Sequence, residues 1–218
     1  MKKYISLFLL TAIAALMSAN ASERVSYTLK KGWKFTKGDV AEAASVTFDD
    51  SAWESVTVPH DWAIYGPFDK AIDLQKVAIV QNGETVPTEK TGRTGALPYI
   101  GVGWYRTVVN VSDFDAATKR AVLYFDGAMS EARVYVNGEE VGYWPNGYNS
   151  FWFDVTRYLK SGKNQLAVRL ENVAESSRWY PGAGLYRNVH LALQPTSWAT
   201  VSPAWELRWK STGLRTKH

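Results

Sequence analysis

The chain has 218 residues, 46% of them hydrophobic and 14% aromatic, enough to bury one sizeable core and too apolar for a disordered polypeptide. It holds no cysteine, which excludes a disulfide scaffold, a thiolate nucleophile, a lipid-modified cysteine and a cysteine zinc site. The formal charge of +4 resides in the termini: Lys2 and Lys3 stand at the start, residues 197–218 carry four basic residues against one acid, and residues 22–196 balance 19 basic residues against 20 acidic ones, which leaves no basic stripe for a nucleic acid.

In chain order, the two lysines precede an apolar run from Tyr4 to Met17, and Ala19-Asn20-Ala21 presents small residues at the two positions that a signal peptidase reads. Residues 1–21 are therefore read as a cleaved signal peptide, with export to the periplasm or the exterior. A membrane anchor is the competing reading, but a spanning helix needs about 20 apolar residues and this run is shorter. No later run is long enough to span, so no membrane partner is expected after cleavage.

From Tyr27 onward the sequence turns to short runs rich in Val, Tyr, Trp and Thr separated by turn residues. Strands are predicted at 33–37, 55–58, 103–111, 120–125, 131–136, 139–143, 151–154, 165–171 and 185–193, an all-β sandwich. Asn137-Gly138 supplies two residues that tolerate positive φ between two of these runs, the signature of a tight hairpin. The 103–111 run alternates as a strand with one face on a core. Residues 154–159 read as one helical turn capped by Asp154. Residues 69–100 read as an inserted loop, either ordered with a small hairpin or disordered. Residues 197–218 lack alternation and turn chemistry; they are read either as sequence foreign to the domain, introduced by a frameshift, or as a basic tail.

Several segments carry a resemblance, in order. They are Trp33-Lys34-Phe35, Phe48-Asp49-Asp50-Ser51-Ala52-Trp53, Val58-Pro59-His60-Asp61-Trp62, Gly101-Val102-Gly103-Trp104-Tyr105-Arg106 and Phe125-Asp126-Gly127. Val134-Tyr135-Val136-Asn137-Gly138, Phe153-Asp154-Val155-Thr156, Leu166-Ala167-Val168-Arg169 and the segment 177–187, Ser-Arg-Trp-Tyr-Pro-Gly-Ala-Gly-Leu-Tyr-Arg, complete the series. The set, over residues 27–195, resembles the amino-terminal sugar-binding domain of family 2 glycoside hydrolases. That resemblance implies a galactose-binding-domain-like jelly-roll β-sandwich, followed in the family by an immunoglobulin-like domain and a catalytic (β/α)8 barrel. His60-Asp61-Trp62 followed by Gly66-Pro67-Phe68-Asp69 is more similar to the β-galactosidase branch than to the β-mannosidase branch, and β-glucuronidases remain open.

Retaining glycoside hydrolysis needs two carboxyl groups about 5 Å apart on rigid strands. The resemblance implies an Asn-Glu dipeptide for the acid/base, and no Asn-Glu occurs in the sequence. No catalytic residue, metal ligand or cofactor is therefore expected, and the chain is read as inactive without the family's carboxy-terminal catalytic domains. Asp49-Asp50 and Glu139-Glu140 stand beside turns, where acids cap backbone donors or remain solvated, and His60-Asp61-Trp62 is read as packing and loop anchoring. The candidate substrate-binding residues are Arg178, Trp179 and Tyr180: aromatic faces stack on the C–H faces of a pyranose, and a guanidinium forks to adjacent hydroxyls. The resemblance implies that this segment reaches toward the pocket of the neighbouring barrel, with an aspartate common in the family where Arg178 stands. The competing reading has Trp179 and Tyr180 pack under the sandwich while Arg178 forms a salt bridge. A second aromatic loop runs through Trp144-Pro145-Asn146-Gly147-Tyr148, with an ordinary hairpin connection as its alternative. The expected partner is a carbohydrate, a β-galactoside or related glycan; an autonomous carbohydrate-binding module is the alternative function.

Overall fold

The computed structural model describes residues 24–65, 69, 71, 74–91, 100–173, 182–196 and 216–217. The strands are β1 (Val25–Thr28), β2 (Trp33–Lys37), β3 (Glu54–Val56), β4 (Leu74–Val77), β5 (Thr88–Thr91), β6 (Gly101–Val111), β7 (Lys119–Phe125), β8 (Ala132–Val136), β9 (Glu139–Trp144), β10 (Phe151–Asp154), β11 (Gly162–Asn172), β12 (Val189–Pro195) and β13 (Thr216–Lys217). They form the all-β jelly-roll sandwich expected from the sequence. One sheet runs β10-β7-β12-β1-β13 and the other β3-β2-β6-β11-β8-β9, while β4 and β5 pair only with each other. All pairings are antiparallel except that of the two-residue β13 with β1.

Alternate residues of each sheet point inward and meet in one apolar core. Trp33 and Phe35 of β2, Tyr105 of β6 and Leu166, Val168 and Leu170 of β11 join Leu123 and Phe125 of β7 and Val189 and Leu191 of β12. Each buried Leu, Val or Phe contributes about 1.5–3 kcal/mol relative to exposure, so this cluster is the main apolar source of the sandwich's stability.

The other face of β6 departs from expectation. The sequence predicts one buried face, yet Trp104 and Arg106 on the opposite face are buried as well, at 2% and 1% exposure. The segment between β2 and β3 folds back over them: Ala43 packs on Trp104 and Ala167, with Trp53 and Tyr135 alongside. Arg106 sits beneath that segment. Its Nε donates to Asp50 at 2.7 Å, and its terminal nitrogens donate to the carbonyls of Ala43, of Ser45 at 2.9 Å and of Phe48 at 3.4 Å. A buried guanidinium has to be paired and hydrogen-bonded. Here that requirement shapes the covering segment.

Asn137-Gly138 forms the predicted hairpin, with φ of 51° and 89° and Val136 paired to Glu139. The Asn137 amide also donates to the Tyr158 carbonyl at 2.8 Å and to Asn164 Oδ1 at 2.9 Å, which ties the hairpin to the loop before β11. Asp154 accepts the Thr156 N–H at 2.9 Å and caps a single turn closed by Tyr158 N–H on the Val155 carbonyl at 3.0 Å. Within the insertion, β4 and β5 make the small hairpin; Glu84 accepts the Ile79 N–H at 2.9 Å and pairs with Lys90.

Two predicted strands shift. The 55–58 run leaves its ladder after Val56, because Val58 N–H bonds the Lys30 carbonyl at 2.9 Å instead. The 185–193 run begins only at Val189 and extends to Pro195, because residues 183–187 are committed to neighbouring loops. β1 is absent from the predicted strands, since a four-residue strand offers only two alternations. Residues 1–21, read from the sequence as a signal peptide, lie outside the described residues, as does most of the 197–218 segment.

Candidate functional site

Arg178, Trp179 and Tyr180 lie outside the described residues. What the structure does describe is the segment that follows them, 182–187, and how the sandwich holds it. On one side it pairs with the His60-Asp61-Trp62 motif. His60 N–H donates to the Leu185 carbonyl at 2.8 Å and Trp62 N–H to the Ala183 carbonyl at 3.2 Å. Asp61 Oδ1 in turn accepts the Ala183 N–H at 3.1 Å and the Ala63 N–H at 3.0 Å. On the other side Gly184 and Met129 exchange two backbone hydrogen bonds, each 3.0 Å.

Two glycines make this threading possible. Gly184 has φ of 99°, and a Cβ there would lie 2.2 Å from Tyr105 Oη and 2.9 Å from the His60 carbonyl oxygen. Only a residue without a side chain fits that gap and that backbone conformation. Gly182, with φ of 77°, places its backbone against Asp61, whose Oδ2 would be 3.3 Å from a Cβ.

Beneath the glycines, His60 Nδ1 and Tyr105 Oη are 2.7 Å apart. Burial pushes the Tyr105 phenol well above its ordinary value, against a smaller opposing effect of the Leu185 backbone hydrogen bond. Burial likewise lowers the His60 imidazole below its ordinary value, with Glu54 and Asp61 opposing. Both groups are thus held neutral, and the pair suits a phenol donating to an unprotonated Nδ1. Phe35 packs on His60 at 4.9 Å and on Trp62 at 5.4 Å between ring centroids. This is an anchor, as the motif reading expected.

Farther along, Tyr186 O–H donates to the Gly147 carbonyl at 2.8 Å, and Arg187 Nη1 donates to the carbonyls of Asp126 and Tyr148 at 3.3 Å each. The 144–148 loop is therefore fastened to the same segment. Asn146 Oδ1 accepts the N–H groups of Tyr148 and Asn149 at 2.8 and 3.1 Å. Tyr148 remains 51% exposed, whereas Trp144 stacks on Phe151 at 5.8 Å.

Of the adjacent carboxylates, Asp49 caps a turn as expected, whereas Asp50 and Glu140 enter ion pairs that the sequence reading did not foresee. Asp49 accepts the Ser51 N–H at 2.9 Å, a bond that holds its carboxyl below the usual range; Asp50 pairs with Arg106, and Glu140 with Arg133 at 3.1 Å. The two described histidines belong to different surroundings, His60 with Phe35 and Tyr105, and His190 on β12 with Thr28 at 3.1 Å and Asp126 at 3.4 Å. Among the described residues no group of three or more His, Cys, Asp or Glu is placed to hold a metal ion. Sequence reasoning missed Tyr105, Gly184 and Met129 as parts of the anchor; the Gly-Ala-Gly of residues 182–184 was the available signal, since closely spaced glycines often mark a close backbone approach.

Comparison with known proteins agrees with this construction. Residues 27–195 match the family described as glycosyl hydrolases family 2, sugar binding domain. The chain is 39% identical over 181 residues to the β-galactosidase BoGH2A of Bacteroides ovatus, covering 82% of this chain and 19% of that enzyme. It is 33% identical over 190 residues to a putative β-glucuronidase of Formosa agariphila, covering 86% of this chain and 17% of that protein. The crystal structure of a β-glycosidase from Bacteroides vulgatus superimposes with a TM-score of 0.64 at 33% identity, over 79% of this chain and 20% of that one. The chain thus spans about a fifth of the length of these relatives, and it belongs to the sugar-binding domain family of the family 2 glycoside hydrolases.

Proposed function

We propose that this chain serves as the sugar-binding sandwich of an exported β-glycosidase of the β-galactosidase type, with bond cleavage supplied by other domains of such an enzyme. The observation that carries this reading is the 39% identity to a β-galactosidase across 82% of the chain. Arg178, Trp179 and Tyr180 are the proposed sugar contacts, two aromatic faces for the C–H surface of a pyranose and a guanidinium for its hydroxyls. Their support is position: they immediately precede a segment that two glycines, Asp61 and Met129 hold at a defined place on the sandwich.

The purified chain is expected to release no nitrophenol from nitrophenyl β-galactoside, and measurable turnover would overturn the division of labour. Export predicts a mature amino terminus at Ser22, readable by terminal sequencing of the secreted or periplasmic protein; a retained Met1 would contradict it.

A second reading, a sandwich of the β-glucuronidase type, is favoured by the 33% identity to a putative β-glucuronidase and by the chemistry of Arg178. A guanidinium pairs bidentately with a carboxylate, the group that separates a uronic acid from galactose. Calorimetric titration of methyl β-galactoside and methyl β-glucuronide into the chain decides between them. Preferential binding of the glucuronide that is lost in Arg178→Ala selects the second reading, and preferential binding of the galactoside selects the first.

A further inference from the structure

We propose that Asp61 is a positioning residue that fixes, through one carboxylate oxygen, the departure of two segments from the same end of the sandwich. In function the proposal rests on the reading of residues 178–180 as sugar contacts. Oδ1 accepts the N–H of Ala63 at 3.0 Å, where the chain heads into the insertion, and the N–H of Ala183 at 3.1 Å, where it returns from residues 178–180. Ala63 and Ala183 are 1% and 0% exposed, so water is poorly placed to replace the carboxylate at either amide. Bonds to an ionised acceptor are stronger than those to a neutral one. The two bonds fasten the two departures to each other as well as to the sandwich.

The backbone around Asp61 leaves little slack. His60 and Trp62, its neighbours on either side, pair with Leu185 and Ala183, and the Trp62 ring fills the space above Gly103, where a Cβ would approach it to 2.6 Å. Strand side chains of the two sheets supply most of the apolar core, and Val58, Trp62, Ala63, Ala183 and Leu185 join it from the loops around Asp61. The carboxylate sets the relative placement of the Ala63 and Ala183 backbone, one just before the insertion and the other just after residues 178–180.

Both amides bond the same oxygen, so asparagine keeps the acceptor and leucine deletes it. In the full chain, amide-resolved hydrogen exchange on Asp61→Leu is expected to accelerate at Ala63 and Ala183 by about tenfold or more, with Leu123 and Val168 unchanged and a cooperative melt retained. Asp61→Asn is expected to restore most of the protection. Affinity for methyl β-galactoside or methyl β-glucuronide, whichever the wild type binds, is expected to weaken by about tenfold in Asp61→Leu and to recover in Asp61→Asn. Unchanged exchange at Ala183 overturns the proposal, as does exchange raised uniformly across the sandwich or a leucine variant without a cooperative melt, each of which assigns Asp61 a merely structural role or none. A wild-type chain that binds neither sugar yet shows the expected local exchange pattern refutes the sugar-contact reading and upholds the positioning role.

Discussion

Asp50 and Asp61 lie eleven residues apart in the same motif-rich stretch, and they do opposite things. Asp50 pairs with Arg106, three of whose other four N–H groups donate to the carbonyls of Ala43, Ser45 and Phe48. Asp61 accepts the backbone N–H groups of Ala63 and Ala183, 120 residues apart in the chain. The first arrangement seals a wall; the second ties two loop residues to one oxygen. Residues that jointly identify a family need not share a role, and the partners that each holds tell the two roles apart.

The largest effect is expected from filling the loop-bearing end. Gly184→Ala combines a left-handed backbone with a Cβ 2.2 Å from Tyr105 Oη and should cost about 4 kcal/mol in urea unfolding, from the left-handed penalty and overpacking together. Next, Arg106→Met should cost about 3 kcal/mol, the low end for a broken buried pair because Asp50 keeps some contact with water. The comparison sharpens if sugar affinity in the folded Arg106→Met chain stays at the wild-type level, since that wall is remote in role from the loops. Tyr105→Phe removes the bond to His60 Nδ1 while keeping the ring, and should cost about 1 kcal/mol.

The smallest effect is on pH dependence. His60 titrates below its ordinary value in the folded chain, so as the pH falls through about 6.5 the unfolded chain takes up a proton that the folded one refuses. Stability is full above that point and declines below it. Melting temperatures measured from pH 7 to pH 5 should show this decline, and His60→Gln should flatten it.

Much of the sandwich was legible in the sequence because its signals are local. Asn137-Gly138 announces its hairpin through backbone freedom alone, and the alternation of Val134 and Val136 or Leu166 and Val168 announces which side faces the core. The covering of Trp104 and Arg106 was not legible, since residues 38–53 carry no period and their packing depends on partners some 60 residues away. The site was half legible. His60-Asp61-Trp62 and the Gly-Ala-Gly of 182–184 stand out as motifs, but that Asp61 holds Ala183, that Gly184 clears Tyr105 and that Met129 closes the far side are long-range contacts. The shifted start of β12 has the same origin: Leu185 and Tyr186 have strand-like composition, yet their hydrogen bonds go to loops.

We propose that this sandwich contributes sugar contacts through Arg178 and Trp179 to chemistry carried out elsewhere in a family 2 enzyme. The most direct measurement is kcat/KM for nitrophenyl β-galactoside and nitrophenyl β-glucuronide in a family 2 enzyme whose own sandwich is replaced by residues 24–196 of this chain. Turnover is expected to fall by about tenfold or more when Arg178→Ala and Trp179→Ala are introduced, the scale of lost positioning contacts. Turnover indifferent to both substitutions would contradict the proposal.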